Sequence, residues 1–419
     1  MAPHTLLIPL RRLGVRALLV LLITAAGGVG TAMVIAAPTA KLAHQTDSPA
    51  DAAVGNDVWG FRFLGEQRLP WRMHFEESVV GGLSGIDYDP KEQRYYLISD
   101  DRSEKSPARF YTATIRLDES GLSGVELKSV VPLLRPNGRR YPARPAPDMV
   151  DPEAIRYDAR SGTLLWSNEG ERAVSLLERF SEPLLVDPSL REARTDGSFM
   201  AEFRLPEMFR MTTAENGPRA NLTFEGVSLS PDGDSVWLSM EGPILQDGPP
   251  VSRTAGALVR ISHLTRAPRS STTLLGQYAY RTDPLPARPL IPGLIAELGV
   301  SEILALSNTR LLVLERSYVL GHGVGVRLFE ADIEGATDIS NIASLRAAGA
   351  TVVPMKKRLI LDFASLKLPH LDNIEGMTWG PTLANGKRTL VFVSDDNFSP
   401  MQTTQFLAFE ITLPRQEKP

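Results

Sequence analysis

The segment TFEGVSLSPDGDSVWLSMEGP (223–243) contains two short, alternating apolar runs on either side of a tight-turn sequence. The turn, SPDGD, combines residues that favour the backbone angles of a β-turn, so the segment is predicted to form a β-hairpin. The same arrangement, with small or acidic residues at its two ends, occurs five times. The five segments are 82–102, 151–172, 223–243, 299–318 and 373–397.

Further strand-like runs surround these hairpins. Two follow each of the first four hairpins, whereas only TQFLAFEITL (404–413) follows the fifth. The missing strand is available near the other end of the chain, in WGFRFLGEQRLP (59–70). Four strands per repeat, with one taken from the opposite terminus, is the way in which a β-propeller closes its ring. The predicted fold is therefore all-β, a β-propeller of five four-stranded blades closed by an N-terminal strand.

The length of the repeat leaves open whether the propeller has a sixth blade. The equivalent hairpin positions Ser84, Glu153, Glu225, Glu302 and Glu375 are 69 to 77 residues apart. A propeller blade usually takes about 40–50 residues, so the loops between strands must be long or must contain a degenerate blade.

The amino-acid composition excludes several classes of function. The chain has 419 residues, with 45 Lys or Arg, 49 Asp or Glu and a formal net charge of −4. This balance gives no basis for nucleic-acid binding, which goes with a basic surplus. The lack of cysteine in the sequence excludes disulfides, thiolate metal sites and cysteine nucleophiles.

The N-terminal region is typical of a targeting segment. Residues 1–16 contain three arginines and no acid, and residues 17–37 form an uncharged, mostly apolar run. This order predicts a signal peptide within residues 1–40, or an uncleaved membrane anchor. Residues 41–56 are predicted to be a flexible linker and residues 57–415 the propeller domain. We expect export to the bacterial periplasm or the extracellular space, with membrane contact only through the N-terminal segment.

Acidic residues recur at both ends of the hairpins. The start of the first strand lies beside the end of the second, so these residues should meet at one rim of the ring. Many oxygen ligands favour Ca²⁺, with Mg²⁺ as the alternative. A purely structural role, tying neighbouring blades together, is the other interpretation. The predicted cation ligands are Asp101, Glu153, Glu169, Glu225, Glu241, Glu302, Glu315, Glu375 and Asp396.

Three arginines, Arg102, Arg172 and Arg316, stand just behind acidic hairpin ends. A guanidinium group can bind a phosphate or carboxylate through two parallel hydrogen bonds, so they are predicted to bind an anionic substrate group. The alternative for each is a salt bridge at the rim. The sequence contains no nucleophile elbow, phosphate-binding loop or dinucleotide fingerprint, and no catalytic residue is assigned.

The repeated segments resemble the family called "esterase-like activity of phytase". The matching stretches, in the same order, are GGLSGIDYDP (81–90), YYLISDDR (95–102), DPEAIRYD (151–158), FEGVSLSPDG (224–233), SEILAL (301–306) and NIEGMTWGP (373–381). The resemblance implies a propeller, an exported location and an esterase or phosphoester hydrolase activity.

Together these features predict an exported, divalent-cation-dependent phosphoester or ester hydrolase that acts at an acidic channel mouth. Its partner would be a small anionic or ester substrate, and the protein is expected to be a monomer. The alternative function is a non-catalytic propeller that binds a ligand or partner and uses calcium structurally.

Overall fold

The five predicted hairpins are present, and each belongs to a four-stranded antiparallel sheet. The structure, a computed structural model, describes residues 58–174, 182–266, 272–291 and 293–414. The first strand and a small hairpin precede the first blade, and these are β1 (Gly60–Arg68), β2 (His74–Phe75) and β3 (Ser78–Val79).

The blades follow one another along the chain. Blade 1 contains β4 (Leu83–Asp89), β5 (Arg94–Ser99), β6 (Arg109–Asp118) and β7 (Gly121–Pro132). Blade 2 begins with β8 (Pro152–Asp158) and β9 (Thr163–Asn168). A separate pair, β10 (Glu171–Ala173) and β11 (Leu184–Val186), then precedes its outer strands β12 (Ser189–Arg194) and β13 (Phe199–Glu202).

Blade 3 contains β14 (Phe224–Leu229), β15 (Ser235–Met240), β16 (Leu258–Thr265) and β17 (Leu274–Arg281). Blade 4 contains β18 (Ala296–Ala305), β19 (Arg310–Val319), β20 (Gly323–Asp332) and β21 (Lys356–Asp362). Blade 5 contains β22 (Asn373–Trp379), β23 (Arg388–Asp395) and β24 (Gln405–Thr412). The described helical segments are short, namely an α-helical turn at Leu345–Ala348 and 3₁₀ turns at Glu207–Phe209, Leu245–Asp247, Gly349–Thr351 and Phe363–Leu366.

The first strands of the blades form a closed ring. They contact one another in the cyclic order β4, β8, β14, β18, β22 and back to β4. The strand β1 completes blade 5 by pairing with β24. The predicted five-bladed propeller and its N-terminal closing strand are thus confirmed, and the described residues contain no sixth four-stranded sheet.

The blades lie within one compact unit, Phe61–Thr412. A second unit, Met1–Gly60 with Leu413–Pro419, is described only at residues 58–60 and 413–414. The predicted targeting segment 1–40 and linker 41–56 lie outside the described residues. No helix in the described part of the chain is long and apolar enough to span a bilayer.

The outer half of blade 2 differs from the sequence prediction. The apolar run 173–180 suggested the third strand, but residues 175–180 are not described and β12 (Ser189–Arg194) occupies that place. The sequence pattern did not predict β12 because this strand contains an acid, Glu192, at a buried position where an apolar residue is expected. Glu192 accepts hydrogen bonds from Thr163 and Arg266. A buried charge with such partners is tolerated in a sheet.

Glycines let the inner strands approach one another closely. A Cβ atom on Gly85 of blade 1 would lie 2.7 Å from the carbonyl oxygen of Glu153 in blade 2. A Cβ atom on Gly226 of blade 3 would lie 2.9 Å from the amide nitrogen of Ile303 in blade 4. Any larger residue would force these neighbouring blades apart.

The guanidinium group of Arg156 occupies the centre of the ring. It extends from β8 and donates hydrogen bonds to the carbonyl oxygens of Ile86 at 2.6 Å, Val227 at 2.5 Å and Ile303 at 3.2 Å. These acceptors belong to blades 1, 3 and 4. Because β18 is not adjacent to β8 in the ring, the side chain must cross the channel. Its charge is paired with Glu302 at 2.6 Å.

Blade 5 joins the same network through Asp87. The hydroxyl of Thr378 on β22 donates to Asp87 Oδ1 at 2.6 Å, and that carboxylate lies 3.9 Å from Arg156. All five inner strands are therefore connected by buried polar contacts at the centre of the ring. Such a network is stabilising only while every member keeps its partner.

Replacing Arg156 with Met should destabilise the propeller strongly. The change removes the cation that opposes protonation of buried Glu302, and it takes the arginine donors away from three carbonyl oxygens, which should lower the free energy of unfolding by about 3–5 kcal/mol. Chemical denaturation monitored by circular dichroism would measure the loss. The control is Arg116→Met, which removes an exposed arginine 3.9 Å from Glu126 and should cost less than about 1 kcal/mol. Equal losses in the two variants would contradict the central role of Arg156.

Candidate functional site

Each inner strand contains a β-bulge, where extra residues interrupt the pairing with the next strand; the bulge lies near the start of the strand in blades 1, 2, 3 and 5 and in the middle of β18 in blade 4. In blade 1 the register shifts between Leu83 and Gly85, which makes Ser84 the bulged residue. Equivalent shifts in the other blades place Glu153, Glu225, Ser301 and Glu375 at this point. Blade 4 therefore presents Ser301 at the rim, and the assignment of Glu302 to this position is off by one residue.

At the end of the second strand of each hairpin, the rim residue can also differ by one position from the residue that the sequence pattern predicted. In blade 1, Leu83 pairs with Ser99, so the following residue, Asp100, lies opposite Gly82, two residues before the bulged Ser84. The matching residues of blades 2 to 5 are Glu169, Glu241, Arg316 and Asp395. The sequence pattern instead pointed to three residues one position away, namely Asp101, Glu315 and Asp396. A shift of one residue turns a strand side chain to the other face of the sheet.

Five carboxyl groups from blades 2 and 3 lie together at this rim. Carboxylate oxygens of Asp151, Glu153 and Glu169 lie within 4.8 Å of one another, as do those of Glu169, Glu225 and Glu241. Glu169 belongs to both groups, so the five residues form one continuous patch, called here the acidic cluster. Each of them has at most 7% of its surface exposed. Four were predicted from the sequence, and Asp151 was not.

The environment of the acidic cluster disfavours negative charge. Burial is the largest cause that raises the pKa values of Glu153, Glu169 and Glu225 well above their ordinary range. Repulsion from another carboxylate of the cluster is the second cause in each case. Without a cation these groups would therefore retain protons at pH values where an exposed glutamate is ionised.

Arg316 takes the rim position of blade 4 and joins the cluster to blade 5. Its Nη2 atom lies 3.1 Å from Glu241 Oε1 and 3.0 Å from Glu375 Oε1. The Nε atom of Arg316 is buried and has no hydrogen-bond partner among the described residues. The guanidinium group thus keeps one donor that the surrounding described residues do not use.

The other two predicted arginines differ in location. Arg102 donates from Nε to Asp151 at 2.5 Å and lies 3.7 Å from Glu169, so it contacts the acidic cluster. Arg172 instead donates to the carbonyl oxygens of Thr212 and Ala214, both at 3.0 Å. It forms no ion pair with any acid in the described part of the chain. Its contacts identify it as a residue that holds a loop.

Two of the predicted cation ligands are bound by basic groups away from the cluster. Glu302 pairs with Arg156 in the centre of the ring, and burial raises its pKa to about 8 although the arginine opposes the shift. Glu315 lies 2.6 Å from Lys357 Nζ and accepts a hydrogen bond from the hydroxyl of Tyr280 at 2.7 Å. Neither carboxylate belongs to the two groups of closely spaced oxygens.

Asp101 and Asp396 hold loops in place. Asp101 pairs with Arg109 at 2.8 Å. It also accepts hydrogen bonds from the backbone amides of Glu104, Lys105 and Ser106. Asp396 accepts from the backbone amides of Gly82 at 2.9 Å and Phe398 at 3.0 Å. These contacts occupy much of the hydrogen-bonding capacity that a cation would need.

Asp151 was missed although the sequence contains a signal for it. It stands two residues before Glu153, and side chains two apart on a strand share a face. The repeat comparison overlooked it because the other blades have no acid there. The corresponding residue is Gly82 in blade 1, Thr223 in blade 3 and Asn373 in blade 5.

Comparisons with solved structures give distant likenesses only. A periplasmic gluconolactonase of Pseudomonas aeruginosa is 12% identical, with 80% of this chain and 89% of that chain covered and a TM-score of 0.32. A gluconolactonase of Xanthomonas campestris is 13% identical, with 78% and 71% covered and a TM-score of 0.32. A protein of unknown function from Dyadobacter fermentans is 10% identical, with 84% and 99% covered and a TM-score of 0.38. Likenesses at this level support no conclusion about the chemistry of this chain.

The family comparison is more informative. No curated protein matches the sequence. The phytase-like family model described as "esterase-like activity of phytase" matches residues 78–398, which is more than half of the chain and covers the rim residues of all five blades. The chain therefore belongs to the phytase-like family described as "esterase-like activity of phytase".

Proposed function

We propose that the protein is an exported hydrolase that uses a divalent cation at the acidic cluster to cleave phosphoesters, with carboxylic esters as a close variant. The observation that carries this proposal is the pair of overlapping carboxylate groups that share Glu169. The family description favours an ester substrate. Because one fold supports many activities, the site and not the propeller is the basis of the proposal.

The donor atoms of the cluster suit a hard cation. All of them are carboxylate oxygens, and Ca²⁺ takes six to eight oxygen ligands at about 2.3–2.6 Å. Two ligands on opposite sides of one ion would then be about 5 Å apart, close to the 4.8 Å spread of each group. Asp151 Oδ1 is buried without a hydrogen-bond partner among the described residues, as expected of a ligand atom. We propose Ca²⁺, with Mg²⁺ as the alternative.

The neighbouring arginines would bind the substrate. A cation at the cluster would supply charge neutralisation for phosphate oxygens and a lowered pKa for a coordinated water. Arg316 keeps its Nε donor available for a phosphate or carbonyl oxygen. Arg102 is held against Asp151, and 13% of its side chain is exposed, so it would provide a second contact. Both guanidinium groups would orient the ester without taking part in proton transfer.

The proposed location follows from the N-terminal sequence. Residues 1–40 combine a basic flank with an apolar run, which supports export to the periplasm or the extracellular space. Extracellular calcium is abundant enough to fill sites of modest affinity, with dissociation constants of about 10⁻⁴–10⁻³ M in extracellular modules. Export and calcium use are therefore compatible proposals.

A non-catalytic role for the cation is the second candidate. In blade 2 the carboxylates of the cluster belong to β8, to the residue just before β8 and to the residue just after β9, and in blade 3 they belong to β14 and to the residue just after β15. A cation there would join two neighbouring blades. The low exposure of all five carboxylates, at most 7%, favours this structural role. The propeller would then bind a ligand or partner without catalysis.

Calcium should stabilise the protein, and more so at higher pH. Cluster carboxyls with raised pKa values keep protons in the folded state, whereas the unfolded chain loses them above about pH 4.3. Stability in chelator should therefore fall as pH rises from 5 to 8, because the unfolded state binds fewer protons in this window. Calcium should raise the melting temperature by at least about 3 °C at pH 8, and by less at pH 5. Differential scanning calorimetry would measure both effects.

A variant comparison isolates the cluster from other titrating groups. Burial lowers the pKa of His263, which acts in the opposite direction near pH 6. The double variant Glu153→Gln/Glu225→Gln should therefore be compared with wild type over the same pH range. It should flatten the pH dependence and abolish the calcium effect, whereas the control Glu202→Gln, at an exposed carboxylate paired with Arg191, should change neither. A calcium effect that survives in the double variant would contradict the proposed site.

Hydrolysis should depend on the shared ligand Glu169. Outer-shell changes around metals usually cost 10- to 100-fold, so Glu169→Gln should lower activity by at least about 100-fold. The assay would use p-nitrophenyl phosphate, p-nitrophenyl acetate and phytate, each with Ca²⁺ and with chelator. Glu202→Gln should retain full activity. If wild-type protein hydrolyses none of these compounds while calcium still raises its melting temperature, the non-catalytic alternative is correct.

A further inference from the structure

A cleft of about 260 Å³ opens beside the channel mouth, between blades 5 and 1. Its walls come from the segment before β2, from the end of the β2–β3 hairpin, and from the loops that follow β5 and β23. It is lined by Trp71, Arg72, Val79, Val80, Lys105, Asp396 and Phe398. Asp396 is the one acid among these lining residues, and its oxygens accept hydrogen bonds from the backbone amides of Gly82 and Phe398 and from the hydroxyl of Thr404. None of the lining residues belongs to the acidic cluster.

The cleft combines positive charge with an aromatic surface. Trp71 is 46% exposed, a large fraction for an indole side chain. The guanidinium group of Arg72 lies 5.2 Å from its ring centroid, and Lys105 lines the same space. Neither basic group forms an ion pair with an acid in the described ranges. An exposed aromatic face beside two such cations is suited to an anionic ring, through apolar contact and charge.

The walls of the cleft are held firmly. The loop that carries Lys105 is fixed by Asp101, which accepts three consecutive backbone amides and pairs with buried Arg109. Arg109 also donates to the carbonyl oxygen of Val79 at 2.6 Å, which fixes the β2–β3 hairpin. Asp396 holds the opposite wall through the amide of Phe398. Preorganised walls of this kind reduce the entropy cost of binding.

Backbone strain is concentrated at the same place. Arg72 has a φ of 54° and Phe398 a φ of 50°, both in the left-handed region that non-glycine residues rarely adopt. Asn397, next to Phe398, has a φ of 47°. Strained backbone persists only where surrounding contacts enforce it, and it is enriched at ligand sites.

The cleft adjoins the acidic cluster at Gly82. A Cβ atom at Gly82 would lie 2.1 Å from Asp100 Oδ1 and 2.7 Å from the ring of Phe398, so this carboxylate oxygen and the aromatic wall of the cleft lie close together. Asp100 is in turn close enough to Glu153 to raise its pKa. A molecule bound in the cleft can thus extend towards the cluster.

We propose that this cleft binds the non-reacting part of the substrate, a flat apolar ring that carries a negative charge. The ring would lie against Trp71 and Phe398, and the charged group would contact Arg72 and Lys105. This inference rests on the proposed function for the position of the reacting ester, but binding of the ring itself needs neither the cation nor hydrolysis. The substrate class would be esters whose non-reacting portion is an aromatic anion.

Three small probes separate the two kinds of contact. Benzoate carries both the ring and the charge, benzamide has the ring without the charge, and acetate has the charge without the ring. Saturation-transfer and titration NMR of the full chain in chelator should show benzoate binding at least about tenfold more tightly than either of the others, a difference within the range of one charged contact. Equal affinity for all three probes would overturn the proposal.

Variants assign each contact to its residue. Arg72→Gln/Lys105→Gln should remove the preference for benzoate over benzamide, and Trp71→Ala should remove the preference over acetate. Arg116→Gln/Lys128→Gln, which neutralises two basic groups on the exposed part of blade 1, is the matched control and should bind like wild type. Circular dichroism would establish that each variant is folded. Unchanged benzoate binding in the folded cleft variants would disprove the site.

The experiments distinguish an incorrect proposal for the cleft from an incorrect proposal for the cation site. Glu169→Gln should keep full benzoate binding, since it alters only the acidic cluster. If the protein hydrolyses no ester but binds benzoate in the cleft, the proposed function is wrong and the cleft stands. If it hydrolyses phenyl phosphate and 4-carboxyphenyl phosphate with the same KM, and the cleft variants leave both unchanged, the cleft proposal is wrong.

Discussion

The position of Arg156 in the centre of the ring determines whether the central channel is open or closed. Its guanidinium group binds carbonyl oxygens of three other blades, so side-chain atoms fill the axis at this depth. Arg156 follows the rim residue Glu153 by three positions on β8, so it lies deeper in the ring than the rim. The acidic rim therefore lies above a closed floor, and the structure favours a blind pocket over a continuous pore.

A closed floor makes the charge at the rim harder to compensate. The five carboxyls of the acidic cluster, with Asp100 and Glu375 beside them, outnumber the two guanidinium groups of Arg102 and Arg316 that contact the cluster. Burial, and after it repulsion between the carboxylates, raises the pKa values of Glu153, Glu169 and Glu225, so protons or cations must neutralise the remaining charge. Serine stands at the bulges of blades 1 and 4, and Arg316 of blade 4 pairs with Glu375 of blade 5, whereas the closely spaced carboxylates belong to blades 2 and 3. The fivefold repeat thus produces one localised site.

The sequence was sufficient for the fold but not for the register of the site. Turn residues and alternating apolar runs repeat regularly, so the five hairpins and the closing strand could be predicted. The bulge in each inner strand adds residues that no sequence pattern marks, and this led to Glu302 where Ser301 lies at the rim. The network of Arg156 was also missed, because contacts across the ring join residues from separate repeats.

The difference of one residue between the predicted and observed rim positions also explains why two consecutive acids have different roles. In blades 1 and 5 the hairpin ends in two consecutive acids, Asp100–Asp101 and Asp395–Asp396. The first of each pair takes the rim position, whereas the second turns away and fixes a wall of the adjoining cleft. In blades 2 and 3 a glycine follows the single acid, at Gly170 and Gly242. Those blades have no acid at that second position, and they supply the closely spaced carboxylates. Neighbouring blades have thus adapted the same position either to the acidic cluster or to the cleft beside it.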